Sequence, residues 1–159
     1  MVCVWAPSEA EMKNRKEAFE DAISATRAAI EEGIVPGGGL ALLRTIDAVE
    51  KVEQTCDGDE RTGVRILRRA LETPARQIAE NSGFDDGVAV DRMRTGNGTI
   101  GLDAAKNQFV DLVEAGIIDP TKVVRTSLEN AVSVASTLLL TEATLTEIPE
   151  GKSNKEEAS

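Results

Sequence analysis

The chain has 159 residues, 41% of them hydrophobic and 29% charged, and its 18 basic and 28 acidic side chains give a formal net charge of −10. That is enough apolar material for one packed domain, with or without a smaller piece, and it excludes a wholly disordered chain. With no histidine, two cysteines and 3% aromatic residues, it excludes His-based nucleophiles, His-ligated zinc, a disulfide framework and an aromatic platform for bases.

Val2 to Trp5 reads as a short apolar strand. Ser8 with Glu11 three residues on is a capping box, which predicts a helix from there to about Glu32. Met12, Phe19, Ile23, Thr26 and Ile30 form its apolar stripe, and Gly33 is its stop. The glycine-rich break Gly33 to Gly39 precedes a second helix, Leu40 to about Val52. After a polar loop a long helix is predicted from about Glu60 to Glu80, kinked at Pro74 and ended by Asn81-Ser82-Gly83. Asp85-Asp86 caps a short helix to about Met93. Thr95 to Leu102, with Gly96, Gly98 and Gly101, reads as a small hairpin or irregular loop. Asp103 then predicts a capped helix from Ala104 to Ala115. Asp119-Pro120 predicts an N-cap and a first-turn proline for a helix reaching about Thr141. That helix is apolar all round and is expected to be the central buried one. Thr144 to Ile148 is β-prone, and residues 150–159 form a polar tail expected to be disordered. The class is mostly α with small β pieces.

Several places could carry chemistry. Gly37-Gly38-Gly39 opens a helix whose first N–H groups lack internal partners, and without side chains a ligand can approach the backbone. A hinge or a tight helix contact explains the same residues, and the motif alone favours that. Asp21 lies about 200° from Phe19 around its helix, off the apolar stripe. Lys13 and Glu17 make a solvated charged row there, although a carboxylate could also orient water or hold a metal. Asp103 and Asp119 are explained as helix caps, yet either could accept from a ligand hydroxyl. Arg61, Arg65, Arg68, Arg69 and Arg76 suggest a solvated face or subunit contact rather than a phosphate track.

The acidic balance argues against nucleic acid or an anionic membrane as the main partner. No apolar run approaches the roughly 20 residues of a membrane span, and no signal-peptide pattern stands at the start. Cys3 and Cys56 stand in no C-x-x-C pattern, so a reduced, cytoplasmic protein is expected.

Five segments in unbroken order carry a more specific signal. They are Glu20-Asp21-Ala22 running on to Glu31-Glu32-Gly33; Gly37-Gly38-Gly39 with Ala41-Leu42; Ala75-Arg76-Gln77-Ile78; Gly101-Leu102-Asp103-Ala104-Ala105; and Gly116-Ile117-Ile118-Asp119-Pro120-Thr121-Lys122-Val123. From about Glu9 to Pro149 the chain resembles the C-terminal part of a group I chaperonin of the GroEL type. The resemblance implies a multihelical equatorial-domain-like bundle. It makes residues 1–32 the end of the intermediate domain and residues 33–149 the C-terminal half of the equatorial, ATP-binding domain. It implies that Asp21 is the carboxylate that activates the attacking water, and that Gly33 is the hinge. Gly37 and Gly38 become the backbone meeting the nucleotide, Asp103, Ala104 and Ala105 the adenine pocket, and Asp119 the ribose contact. ATP and magnesium are implied as cofactors of the complete protein, which folds other proteins as a homo-oligomeric ring.

The sequence also departs from that pattern. Asp103 stands where the bacterial pattern commonly has Asn, so it can accept from the adenine amino group but cannot donate when ionised. Leu102 replaces a common Tyr, and the tail lacks Gly-Gly-Met repeats. The family's phosphate loop, the other half of the equatorial domain and the apical domain, which meets unfolded clients and co-chaperonin, have no counterpart in these residues. The isolated chain is therefore expected to bind ATP weakly or not at all and not to turn it over, since positioning and charge neutralisation supply most of phosphoryl-transfer catalysis. Its rival is a helical scaffold module without nucleotide binding; a metal-dependent carboxylate enzyme is disfavoured because its acids lie on separate helices.

Overall fold

The computed structural model describes residues 5–143 and 145. The element order is α1 (Glu9–Glu32), β1 (Ile34–Pro36), α2 (Leu40–Glu53), α3 (Gly58–Ala70), α4 (Thr73–Asn81), α5 (Asp86–Thr95), β2 (Ile100–Asp103), β3 (Gln108–Asp111), β4 (Ile118–Pro120) and α6 (Thr121–Leu140). The mostly α expectation holds, with two small antiparallel ladders added, β1 with β4 and β2 with β3.

The chain divides into two units, residues up to Thr126 and residues from Ser127 onward. In the first, α1 starts at Ser8, whose hydroxyl accepts from the Glu11 N–H at 3.3 Å, the N-cap half of the box, while the Glu11 carboxylate takes a bond from Arg15 at 2.6 Å. It ends at Gly33, whose N–H donates to the Ala29 carbonyl at 2.8 Å. The apolar stripe is not covered, however. Met12, Phe19, Ile23 and Ile30 are all exposed, and α1 has no buried residue.

The core lies further along. Leu40, Leu43 and Ile46 of α2 are buried together with Leu71, with Ala75 and Ala79 of α4, with Ala89, Val90 and Met93 of α5, and with Leu102 and Leu112. Helix α2 packs on α3 and α5, α4 packs on α5, and α5 packs on β2. Small alanines on α4 and α5 let these short helices approach closely.

Three expectations are corrected. The long helix over 60–80 is two helices, α3 and α4, broken at Leu71-Glu72. Pro74 stands in the first turn of α4, where its missing N–H costs nothing, so it starts a helix rather than kinking one. The helix over 104–115 is absent. Asp103 instead ends β2, residues 104–107 form a turn, and β3 runs back with Leu102 opposite Phe109. Asn107 takes a left-handed φ of 52°, which a helix cannot contain and a tight turn can. Asp119 and Pro120 belong to β4, so α6 begins at Thr121, one residue past the proline.

In the second unit, α6 continues to Leu140 as the sequence predicts, but not as a buried helix. Val134, Leu138, Leu139 and Leu140 are 61–85% exposed, and no residue of α6 is buried. An all-round apolar helix signals burial only when something covers it; Val124 and Leu128 are half-buried, while the leucines at the C-terminal end are exposed. The expected strands at 2–5 and 144–148 and the tail at 150–159 lie outside the described residues, apart from Trp5 and Leu145, neither of which is in a strand. No helix among the described residues is long and apolar enough to cross a membrane.

Candidate functional site

The glycine run leaves β1 and enters α2 between the two ladders. Val35 pairs with Asp119 and Pro36 with Ile118. The Gly37 N–H extends that ladder by donating to the Ile117 carbonyl at 3.0 Å, and the Gly37 carbonyl accepts from Leu40 N–H at 3.0 Å. A Cβ at Gly37 would stand 3.2 Å from the Ile117 oxygen, so even a methyl group crowds the neighbouring strand. The place of a Cβ on Gly38 lies 3.6 Å from the Leu102 oxygen, next to Asp103. One short stretch of bare backbone thus meets the strand carrying Asp119 on one side and the end of β2 on the other. The helix that follows begins at an N-cap glycine with no side-chain cap.

Asp103 is buried, at 5% exposure. Its Oδ1 accepts from the N–H groups of Ala105 at 3.0 Å and Lys106 at 3.3 Å, and the Lys106 ammonium lies 3.5 Å from Oδ2. The carboxylate therefore caps a turn, not a helix. Ala104 is half-buried and Ala105 exposed. Asp119 is half-buried, and its side chain has no hydrogen bond or ion pair among the described residues. An uncommitted carboxylate beside open backbone can accept from a ligand hydroxyl. The Gly37-Gly38 backbone thus neighbours the Asp119 strand and the Leu102-Asp103 end of β2, and Ala104 and Ala105 lie on the turn that follows β2.

Asp21 is not in that group. It stands exposed on α1, twelve residues before Gly33, which is about 18 Å along the helix axis. It has no side-chain partner among the described residues.

The sequence reading missed how the C-terminal end of α1 is held. The Thr121 N–H donates to the Gly33 carbonyl at 3.1 Å. The Glu31 carboxylate pairs with Lys122, and Glu32 takes two hydrogen bonds from the Arg125 guanidinium, at 2.6 and 3.1 Å. The Arg125 bond holds the Glu32 carboxyl below the usual carboxylate range. These partners are some ninety residues apart, so no local pattern announces them.

Apart from Arg69, the arginine cluster is resolved into ion pairs. Arg61, Arg65 and Arg68 converge on Glu53, Arg68 and Arg94 share Glu50, and Glu72 lies between Arg76 and Arg94. Arg76 also bonds Asp86 at 2.8 Å, which raises the Arg76 pKa and lowers that of Asp86. These faces remain partly solvated, and they also carry the ion pairs that join α2, α3, α4 and α5.

Residues 1–149 match the model of the TCP-1/cpn60 chaperonin family. The chain is 70% identical over 152 residues to Chaperonin GroEL 5 of Bradyrhizobium diazoefficiens, a match covering 96% of this chain and 28% of that protein. It also superposes on a crystal structure of a group III chaperonin in the open state with a TM-score of 0.81 and 30% identity, over 89% of this chain and 30% of that one. The chain thus spans under a third of the length of each.

Proposed function

The chain belongs to the TCP-1/cpn60 chaperonin family, and from that premise we propose that it supplies the nucleoside-facing wall of a chaperonin ATP site. In this reading residues 1–32 are the end of the intermediate domain and residues 33–149 the C-terminal half of the equatorial domain. The observation that carries it is the bare Gly37-Gly38 backbone set between the Asp119 strand and the Leu102-Asp103 end of β2.

Each residue has a part suited to its chemistry. Gly37 and Gly38 let a nucleotide approach the main chain, where any side chain would intrude. Asp119, with no other side-chain partner among the described residues, accepts from ribose hydroxyls. Ala104 and Ala105 offer small apolar side chains to the base, on a turn held by Asp103. Because both Asp103 oxygens are engaged within its own turn, its part in adenine recognition is to hold that turn in place. Asp21 acts as the acid that orients water. It stands about 18 Å along α1 from Gly33, so it reaches the nucleotide by rotation of α1 about Gly33. ATP with magnesium, when bound, supplies the transferable phosphoryl group and its charge neutralisation.

The complete protein, in this proposal, is a cytoplasmic homo-oligomeric ring that uses ATP to assist folding of client proteins, with an apical domain and co-chaperonin beyond these residues. The test is calorimetry and phosphate release with Asp21→Ala and Asp119→Ala in the complete chaperonin. Asp21→Ala is expected to keep ATP affinity and lose hydrolysis by about 10²-fold or more, and Asp119→Ala to weaken ATP affinity. Unchanged ATP affinity in Asp119→Ala, or unchanged hydrolysis in Asp21→Ala, refutes these roles. The 159-residue chain alone is expected to show no steady phosphate release.

A further inference from the structure

On the far side of α3 from its N-terminus lies an open groove of about 490 Å³ lined by Thr62, Arg65, Ile66, Arg68, Arg69 and Glu72. We propose that this groove binds a small multivalent oxyanion of the phosphate class, independently of the nucleotide reading above.

Three guanidinium groups line it, in a chain whose net charge is −10. Its only acid, Glu72, is already engaged: Oε2 accepts from Arg76 at 2.8 Å and Oε1 lies 3.5 Å from Arg94. Arg65 and Arg68 both share Glu53, at 3.3 and 3.7 Å, and Arg61 lies 3.8 Å from the same carboxylate. Arg68 also lies 3.3 Å from Glu50, which it shares with Arg94, so two carboxylates, Glu50 and Glu53, face the four guanidinium groups of Arg61, Arg65, Arg68 and Arg94. Arg69 has no hydrogen bond or ion pair among the described residues. It also stands four residues from Arg65 on one helical face, a spacing at which like charges repel. An oxyanion bridging Arg65 and Arg69 removes that repulsion and offers the planar forks several acceptor oxygens. The few aromatic side chains and the acidic chain disfavour an extended nucleic acid as occupant.

The test is titration of the 159-residue chain with inorganic pyrophosphate, followed by calorimetry and by the shift in thermal midpoint. Saturable binding with one site per chain is expected. Arg69→Gln, an exposed position whose change should not disturb folding, is expected to weaken it about tenfold, as loss of one charge-assisted contact does. Arg69→Lys is expected to recover part of the loss. Arg92→Gln, a cation seated over Phe109 outside the groove, is expected to leave affinity unchanged. Heat that never saturates, equal losses in Arg69→Gln and Arg92→Gln, or tighter binding of a single-stranded oligonucleotide than of pyrophosphate would each overturn the proposal. None of these readouts depends on Asp119 or Asp21, so either proposal can fail alone.

Discussion

Gly39 shows how tightly a single position can be fixed. Its φ is +76°, and a Cβ there would lie 2.7 Å from the backbone nitrogen of Ala75, in the first turn of α4. Two penalties add: a left-handed backbone for an L-residue, about 1–2 kcal/mol, and overlap with main chain that cannot rotate away, about 1–3 kcal/mol. Gly39→Ala should therefore destabilise the chain by about 2–5 kcal/mol, read as a lower urea midpoint. An unchanged midpoint would mean α4 shifts freely. Asp103 is the opposite kind of residue, one whose chemistry was legible and whose context was not. A carboxylate accepting from N–H groups two and three residues on looks the same in sequence whether it opens a helix or closes a turn. Asn107 and the strand Gln108–Asp111 decided for the turn, and only the register of Leu102 against Phe109 reveals why. The glycines and aspartates of the proposed site stood out in the sequence by their order. That the Gly37 backbone lies beside the Asp119 strand did not, since it depends on two three-residue strands more than eighty residues apart.

At the scale of elements, two helices announced themselves by side-chain caps and the strands did not. The capping box at Ser8 and the Asp85 cap, which accepts from the Val88 N–H at 2.8 Å, placed α1 and α5 to within a few residues. β1 and β4 are too short for any alternating pattern, and each ends in proline. The hairpin is secured by a different device. The Thr99 hydroxyl donates to Asp111, whose other oxygen accepts from the Val113 and Glu114 N–H groups at 2.9 and 3.1 Å. The Thr99 bond, with those amides, lowers the Asp111 pKa. Arg125 does the same for Glu32 and Arg76 for Asp86. A carboxyl whose pKa is depressed by folding adds stability above its unfolded pKa, and loses it as pH falls through the folded value. The stability contributed by these three groups should thus be complete at neutral pH and disappear below the ordinary carboxylate range. Denaturant melts of the parent chain and of Asp111→Asn should differ at pH 7 and converge toward pH 2. A gap that persists at the acid end would assign the effect to shape rather than charge.

At the scale of the whole molecule, the apolar residues fall into two populations. One is the core around Leu40, Ile46, Met93 and Leu112, each under 2% exposed. The other stands in the open, on α1 within the first unit and on α6 in the second. The sequence could not separate them, because periodicity reports which face is apolar and not whether a partner is present. Leu138, Leu139 and Leu140 are the sharpest case, three consecutive leucines at 62–85% exposure. A monomer rarely leaves so large a contiguous apolar patch in water. Burying one such leucine fully is worth about 1.5–3 kcal/mol, so covering all three is a strong drive to associate. The isolated chain should therefore self-associate with rising concentration and bind a hydrophobic dye. Leu139→Glu with Leu140→Glu should reduce both while leaving the thermal midpoint of the first unit nearly unchanged, since neither side chain contributes to a buried core. Sedimentation velocity across a concentration series is the measurement. A monomer at every concentration, with no dye signal, would show that α6 is covered from within the same chain.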